Sequence, residues 1–135
     1  MIRLATCTYQ EFQPGMGTPV RTTVGAPRFP LTYTLAGHAT LITPTRPMLR
    51  LPRDTYTTAY LRHLDRAGVD AIAEELDRIA AAHPGRRLVL LCFDRLDKPG
   101  AWCHRTLFAV WWEQHTGLHV PELGAQPQPE PPALF

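Results

Sequence analysis

The chain has 135 residues, 44% of them hydrophobic and 19% charged, which predicts one folded domain and excludes a chain that is disordered throughout. Its formal net charge of +2 is too small to indicate a polyanion partner by itself, but it leaves room for a local arginine patch that binds phosphate. No stretch approaches about 20 consecutive apolar residues, and residues 1–6 lack the features of a secretory signal, so we expect a cytoplasmic protein with no membrane partner.

The three cysteines are Cys7, Cys92 and Cys103, an odd number at irregular spacing. This pattern argues against a disulfide framework. We therefore expect free thiols, metal ligands or buried apolar side chains in a reducing compartment.

Two strands are predicted in the N-terminal part of the chain. Residues 2–8 are β-prone enough to form a buried strand, which places Thr8 and Tyr9 near its C-terminal end. A second strand at residues 19–24 is rich in β-branched side chains and contains Arg21. A charge inside such a strand needs a partner or a ligand to offset its desolvation.

The middle of the chain predicts an irregular segment followed by two helices. Residues 28–53 contain many prolines and suit an irregular excursion or a short strand. Asp54 is a suitable cap for a helix that runs to about Ala67. A second helix follows from Val69, with apolar residues every three or four positions, and residues 84–85 end it.

The C-terminal part predicts a core strand and one more helix. Residues 86–93 form a continuous apolar run, typical of a strand buried on both faces of a mainly parallel sheet. A helix is predicted from near Cys103 to Gly117, and residues 118–120 suit a last short strand. The fold class is therefore α/β, a small mostly parallel sheet flanked by helices in a Rossmann-like three-layer architecture, with residues 1–123 as the domain and 124–135 as a proline-rich tail.

Chemically capable residues gather where the predicted strands end, the edge at which open α/β sheets bind ligands. Cys103 begins a helix, where the partial positive charge lowers a thiol pKa, so it is the candidate nucleophile. His104 is the candidate general base, and Cys92, at the end of the core strand, is a third catalytic candidate. The predicted substrate-binding residues are Arg21, Arg105, Thr8, Tyr9 and Asp94.

Each of these residues also has a structural interpretation. Cys92 and Cys7 suit the core, and Cys103 could simply pack at the helix start. The three tryptophans suit the core or a binding surface, so we assign them no catalytic role: Trp102, Trp111 and Trp112.

A metal site would use Cys92, Cys103 and His104, with Cys7 as a fourth ligand. Ten residues separate the two later cysteines, and adjacent residues such as Cys103 and His104 rarely both reach one tetrahedral ion. We therefore predict no metal and no other cofactor.

Three segments resemble the domain-of-unknown-function 488 family, whose mark is a strand ending in Leu-Leu-Cys followed by Cys-His-Arg: residues 90–94, 103–105 and 117–120. Residues 20–21 and 27–29 are similar to the family's arginine-bearing second strand and its trailing proline segment. The likeness covers residues 2–123. The resemblance implies an α/β fold but no particular reaction. The residues that match the family's motif are Arg21, Cys92, Cys103, His104 and Arg105. Residues 7–9, Cys-Thr-Tyr, replace a Gly-His-Ser type of strand ending.

Three functions follow from these residues. The leading hypothesis is an enzyme acting on a nucleotide or nucleic-acid component, because arginines and a helix start converge at strand ends. The alternative is a non-catalytic nucleic-acid or protein binding module that uses the cleft and the Trp-rich helix. The third is a thiol-redox or metal-binding protein, which requires Cys92 and Cys103 to lie close enough to bridge or to share an ion.

Overall fold

A four-stranded, all-parallel sheet organises the structure, a computed structural model that describes residues 2–97 and 100–125. The strands are β1 (Leu4–Thr8), β2 (Thr18–Arg21), β3 (Gly37–His38) and β4 (Leu88–Cys92), and the α-helices are α1 (Arg53–Ala67), α2 (Val69–Ala81) and α3 (His104–Thr116). Short 3-10 turns span Pro14–Met16, Thr40–Ile42 and Arg46–Arg50. The predicted α/β class with a parallel sheet is confirmed.

Strand β4 lies inside the sheet, whose order is β1-β4-β2-β3. All five residues of β4 are buried, as the continuous apolar run predicted. In the register, Thr8 lies opposite Cys92 and Arg21 lies opposite Leu91. The carboxyl ends of β1, β2 and β4 therefore meet at one edge.

Alternate residues of β4 face two separate clusters, which makes three layers. Leu88 and Leu90 belong to a core that also contains buried side chains of all three α-helices. Val89 and Leu91 pack in a second cluster with Cys7. The other described side chains of that second cluster come from β1, from one 3-10 turn and from loops, and none comes from an α-helix: Ala5, Tyr9, Phe12, Met16, Leu31, Tyr33, Leu35, Phe93 and Leu123.

The helix bounds agree closely with the prediction. Helix α1 ends at Ala67 because Gly68 adopts a φ of 82°, which glycine tolerates and other residues rarely adopt. Its N-cap is Pro52, however, and Asp54 lies inside the first turn. Helix α3 starts directly after Cys103, as expected.

Two predicted strand segments differ in the structure. Strand β2 stops at Arg21 rather than at residue 24. Residues 118–120 form no strand, and the chain instead makes one isolated parallel bridge between Thr6 and Glu122. Most of the predicted tail, residues 126–135, lies outside the described residues. Among the helices that are described, none is long and apolar enough to cross a membrane.

Candidate functional site

Cys92 and Cys103 are joined by a disulfide at the carboxyl edge of the sheet. Cys92 is the last residue of β4, and Cys103 is the N-cap of α3. The irregular spacing of the cysteines argued against a disulfide, and the structure differs from that expectation at these two positions. The fold places the end of β4 next to the start of α3. This proximity cannot be predicted from the spacing of the cysteines along the chain.

His104 contacts both sulfurs of this pair. Its Nδ1 lies 3.6 Å from Cys92 Sγ and 3.7 Å from Cys103 Sγ. Cys103 has extended backbone angles (φ −154°, ψ 154°), whereas His104 is already helical. This change of conformation lets two adjacent side chains face the same point, which differs from the expectation that adjacent residues rarely reach one site.

The hydrogen bonds of Thr22 determine which nitrogen of His104 carries the proton. The Thr22 hydroxyl donates to the carbonyl of Leu91 at 2.8 Å, so its oxygen is left to accept from His104 Nε2 at 3.0 Å. The network therefore assigns the hydrogen to Nε2. Nδ1 is left with a lone pair directed at the two sulfurs.

Burial keeps the His104 imidazole neutral. It lowers the pKa of His104 to about 4, and the neighbouring charge of Arg105 acts in the same direction. A neutral ring is the form that can offer Nδ1 as a hydrogen-bond acceptor or a ligand.

The cysteine pair and His104 line a cleft of about 370 Å³. Its walls are mainly apolar, and the ring of Trp102 meets that of Tyr56 edge to face at a centroid distance of 4.9 Å. Asp94, which is exposed, lines the same cleft. Burial raises the pKa of Tyr56, and the charge of Asp94 acts in the same direction. The remaining lining residues are Thr23, Val24, Gly25, Pro44, Leu49, Leu51 and Phe93.

The two predicted anion-binding arginines are bonded to acceptors within the chain. Arg105 is 1% exposed and donates from Nε to Glu122 Oε1 at 2.8 Å. Arg21 donates to the carbonyls of Thr23 and Val24. Among the described lining residues of the cleft, neither arginine is found. A nucleotide or nucleic-acid ligand stays a prediction.

Thr8, Tyr9 and Cys7 lie near the site without lining the cleft. Thr8 is fully buried and its hydroxyl donates to Glu11, while Tyr9 shares a hydrogen bond of 2.7 Å with Thr23. Cys7 is buried in the second cluster, and burial raises its pKa to about 11. It is therefore not a fourth member of the Cys92, Cys103 and His104 group.

Sequence reasoning missed Thr22, Tyr56 and Trp102. Thr22 directly follows the predicted Arg21, but nothing in a β-branched run marks one threonine as the partner of a distant histidine. Tyr56 lies in the first predicted helix, and nothing in the sequence of that helix indicates that this side chain reaches the cleft. Trp102 directly precedes Cys103, and this adjacency was the one available signal of a place in the site.

Comparison with known proteins gives no relative for this chain: no protein-family model, curated protein or solved structure matches it. The resemblance of its Cys-His-Arg motif to the domain-of-unknown-function 488 family therefore stays a prediction.

Proposed function

We propose that this protein is a thiol–disulfide redox protein whose Cys92–Cys103 pair exchanges electrons with the thiol of a partner that carries an apolar group. One observation carries the proposal. Two cysteines from different elements are bonded to each other where they line an open, mainly apolar cleft.

The exchange needs only the protein pair and two partner thiols. A partner thiolate attacks one sulfur of the disulfide, the bond between Cys92 and Cys103 breaks, and a mixed disulfide forms. The second protein sulfur leaves as a thiolate and takes a proton. A second partner thiolate then attacks the partner sulfur of the mixed disulfide, which releases an oxidised partner disulfide and leaves two protein thiols. Two electrons pass from the partner to the protein, and the reverse sequence oxidises the partner.

The position of Cys103 favours it as the leaving sulfur. It is the N-cap of a 13-residue helix, where the unpaired backbone N–H groups stabilise negative charge. A more stable thiolate leaves faster in thiol–disulfide exchange. We therefore place the first attack on Cys92.

The cleft walls indicate the chemical class of the partner. Trp102 and Tyr56 offer aromatic surface beside the disulfide, and Leu51 adds aliphatic surface. An apolar or aromatic group next to the attacking thiol would bury surface there, and each Å² removed from water contributes about 25 cal/mol.

The test is a redox titration of the folded chain in buffers of reduced and oxidised dithiothreitol, followed by acid quenching, thiol alkylation and mass spectrometry. We expect two thiols to appear and disappear together in one two-electron step. The Cys7→Ala variant should keep this step, whereas Cys92→Ser and Cys103→Ser should each abolish it.

Two results would contradict the proposal. One is a native chain that keeps all three thiols reduced in the most oxidising buffer. The other is a disulfide that no thiol reduces until the chain is unfolded.

A further inference from the structure

We propose that the reduced Cys92–Cys103 pair and His104 bind one Zn²⁺ ion through three protein ligands and leave its fourth position open to the cleft. The inference rests on the proposed function in one respect, because the disulfide must be reducible in the folded chain. The inference goes beyond the redox function because it assigns a bound metal ion to the reduced form of the pair.

The distances from the imidazole to the sulfurs match a zinc site. In tetrahedral zinc sites the Zn–S bond is about 2.3 Å and the Zn–N bond about 2.05 Å. The coordinating sulfur and nitrogen atoms are then about 3.6 Å apart. His104 Nδ1 lies 3.6 Å from one sulfur and 3.7 Å from the other. When zinc binds, the two sulfurs move apart, while the distance from Nδ1 to each sulfur stays as it is.

The lone pair on His104 Nδ1 indicates a ligand beyond the disulfide. His104 is only 6% exposed, and buried acceptors usually receive a hydrogen bond. The sulfurs of a disulfide carry no hydrogen, so the oxidised pair donates no hydrogen bond to Nδ1. A metal ion held by the reduced pair would use that lone pair. The Nε2–H bond to Thr22 then has the role of the outer hydrogen bond that orients a metal-binding histidine.

The backbone spacing of the two cysteines leaves room for an ion. Their Cα atoms are 7.5 Å apart. Ordinary disulfides place these atoms about 4.4 to 6.8 Å apart. The wider spacing suits two thiolates on either side of one ion.

The ligand set indicates zinc and an open site. Two thiolates and a neutral imidazole are a typical zinc donor set. Among the described residues, this trio is the one group of three or more His, Cys, Asp or Glu ligand atoms close enough to share an ion. Because all three residues line the cleft, the fourth position faces it and would hold water or a small ligand. The two thiols release their protons to solvent on binding.

The experiment uses the full chain, reduced with a phosphine that is then removed under anaerobic conditions, and Co²⁺ as a spectroscopic probe for the zinc site. We expect one Co²⁺ per chain, with thiolate-to-cobalt charge transfer and the intense visible bands of four-coordinate cobalt. Added Zn²⁺ should remove these bands. The Cys7→Ala variant is the matched control and should bind as the parent chain does.

Variants separate this site from adventitious binding. Cys92→Ser and Cys103→Ser should lose the charge-transfer band, and Thr22→Val, which keeps the side-chain shape, should weaken Zn²⁺ binding about 10- to 100-fold. Circular dichroism confirms that each variant is folded. A folded, reduced chain that takes up no Co²⁺, or equal loss of binding in Cys7→Ala and Cys92→Ser, would overturn the inference.

A thiol count on the same samples distinguishes the two proposals. A pair that cycles between two thiols and a disulfide but takes up no Co²⁺ overturns the metal site alone. A pair that binds Co²⁺ but never forms a disulfide overturns the redox function alone. A disulfide that resists reduction in the folded chain overturns both.

Discussion

His104 Nε2 donates its hydrogen to the Thr22 hydroxyl at 3.0 Å, which leaves Nδ1, the nitrogen that faces the cysteine pair, without a hydrogen. Thr22 can accept because its own hydrogen is already donated to the carbonyl of Leu91. The end of β2, the end of β4 and the start of α3 are therefore connected by two hydrogen bonds. The chemistry available at Cys92 and Cys103 depends on a residue that is neither a cysteine nor a histidine.

The first prediction concerns Thr22→Val. The substitution keeps the shape of the side chain but removes the hydroxyl, so His104 Nε2 loses that acceptor and the Leu91 carbonyl keeps only the backbone N–H of residue 22 as a donor. We therefore expect a loss of about 1 to 3 kcal/mol in the free energy of unfolding. Urea unfolding measures this loss. Long-range ¹⁵N–¹H spectra should show a single Nε2–H tautomer in the parent chain and a mixture in the variant.

Thr58→Val is the matched control for this substitution. Thr58 is exposed, and its hydroxyl donates only to the carbonyl of Asp54 within α1. We expect a change within about 0.5 kcal/mol and an unchanged His104 spectrum. Equal effects of the two substitutions would mean that the Thr22 hydroxyl does not hold the tautomer.

The second prediction concerns Arg105→Ala. Arg105, which is buried, forms an ion pair with the partly buried Glu122, and Glu122 also accepts from the Thr6 hydroxyl in the edge strand β1. Removing the guanidinium breaks this ion pair and empties the space of a side chain that is 1% exposed, so we expect a loss of about 3 kcal/mol in the free energy of unfolding. Hydrogen exchange should increase at the Leu123 amide, which bonds to the Thr6 carbonyl.

Arg95→Ala provides the comparison for an exposed ion pair. Arg95 contacts Asp97 at 2.9 Å, but its side chain is 54% exposed, so we expect a loss below about 1 kcal/mol. The nucleotide hypothesis predicts the opposite for position 105, namely a stable Arg105→Ala chain that no longer binds a nucleotide. Unfolding and nucleotide-binding measurements on this one variant therefore discriminate between the two roles.

The third prediction concerns alkaline pH and Cys7. Burial raises the pKa of this thiol from 9.0 to about 11, so the unfolded chain releases its proton at a lower pH than the folded chain does. Stability should therefore be complete below pH 9 and fall as the pH rises towards 11, by roughly 2 to 3 kcal/mol from this group. Urea unfolding of the oxidised parent chain and of Cys7→Ala measures it. The difference between the two chains should change across this range, and a constant difference would contradict the prediction.

The sequence predicted the elements that depend on local patterns. The three-to-four spacing in α2, the end of α1 at Ala67 and the apolar run of β4 each reflect one element and its immediate surroundings, and all three predictions agree with the structure. The segment at residues 118–120 was misread as a strand because its β-prone residues do not reveal that pairing with β1 is limited to Glu122.

The candidate site was only partly accessible to the same reasoning. The rule that ligands bind at the carboxyl ends of parallel strands selected Cys92, Cys103 and His104, which the structure brings together. Whether Arg105 faces a ligand or a carboxylate of the chain depends on the position of Glu122, and a separation of 17 positions along the chain gives no indication of it. Contacts of this kind arise from the tertiary fold, so they could not be predicted from spacing.

The last prediction concerns the aromatic wall of the cleft. If Trp102 receives the apolar group of a partner thiol, Trp102→Ala should lower the rate at which benzyl mercaptan reduces the Cys92–Cys103 disulfide about tenfold, since an aromatic contact of about 1.4 kcal/mol is lost. The rate with 2-mercaptoethanol, which has no such group, should hardly change, so the ratio of the two rates is the quantity to measure by stopped flow. Val110→Ala, at an exposed apolar residue of α3 that does not line the cleft, should leave the ratio unchanged. An equal fall in both rates for Trp102→Ala would instead assign Trp102 a structural role at the start of α3, with no part in choosing the partner.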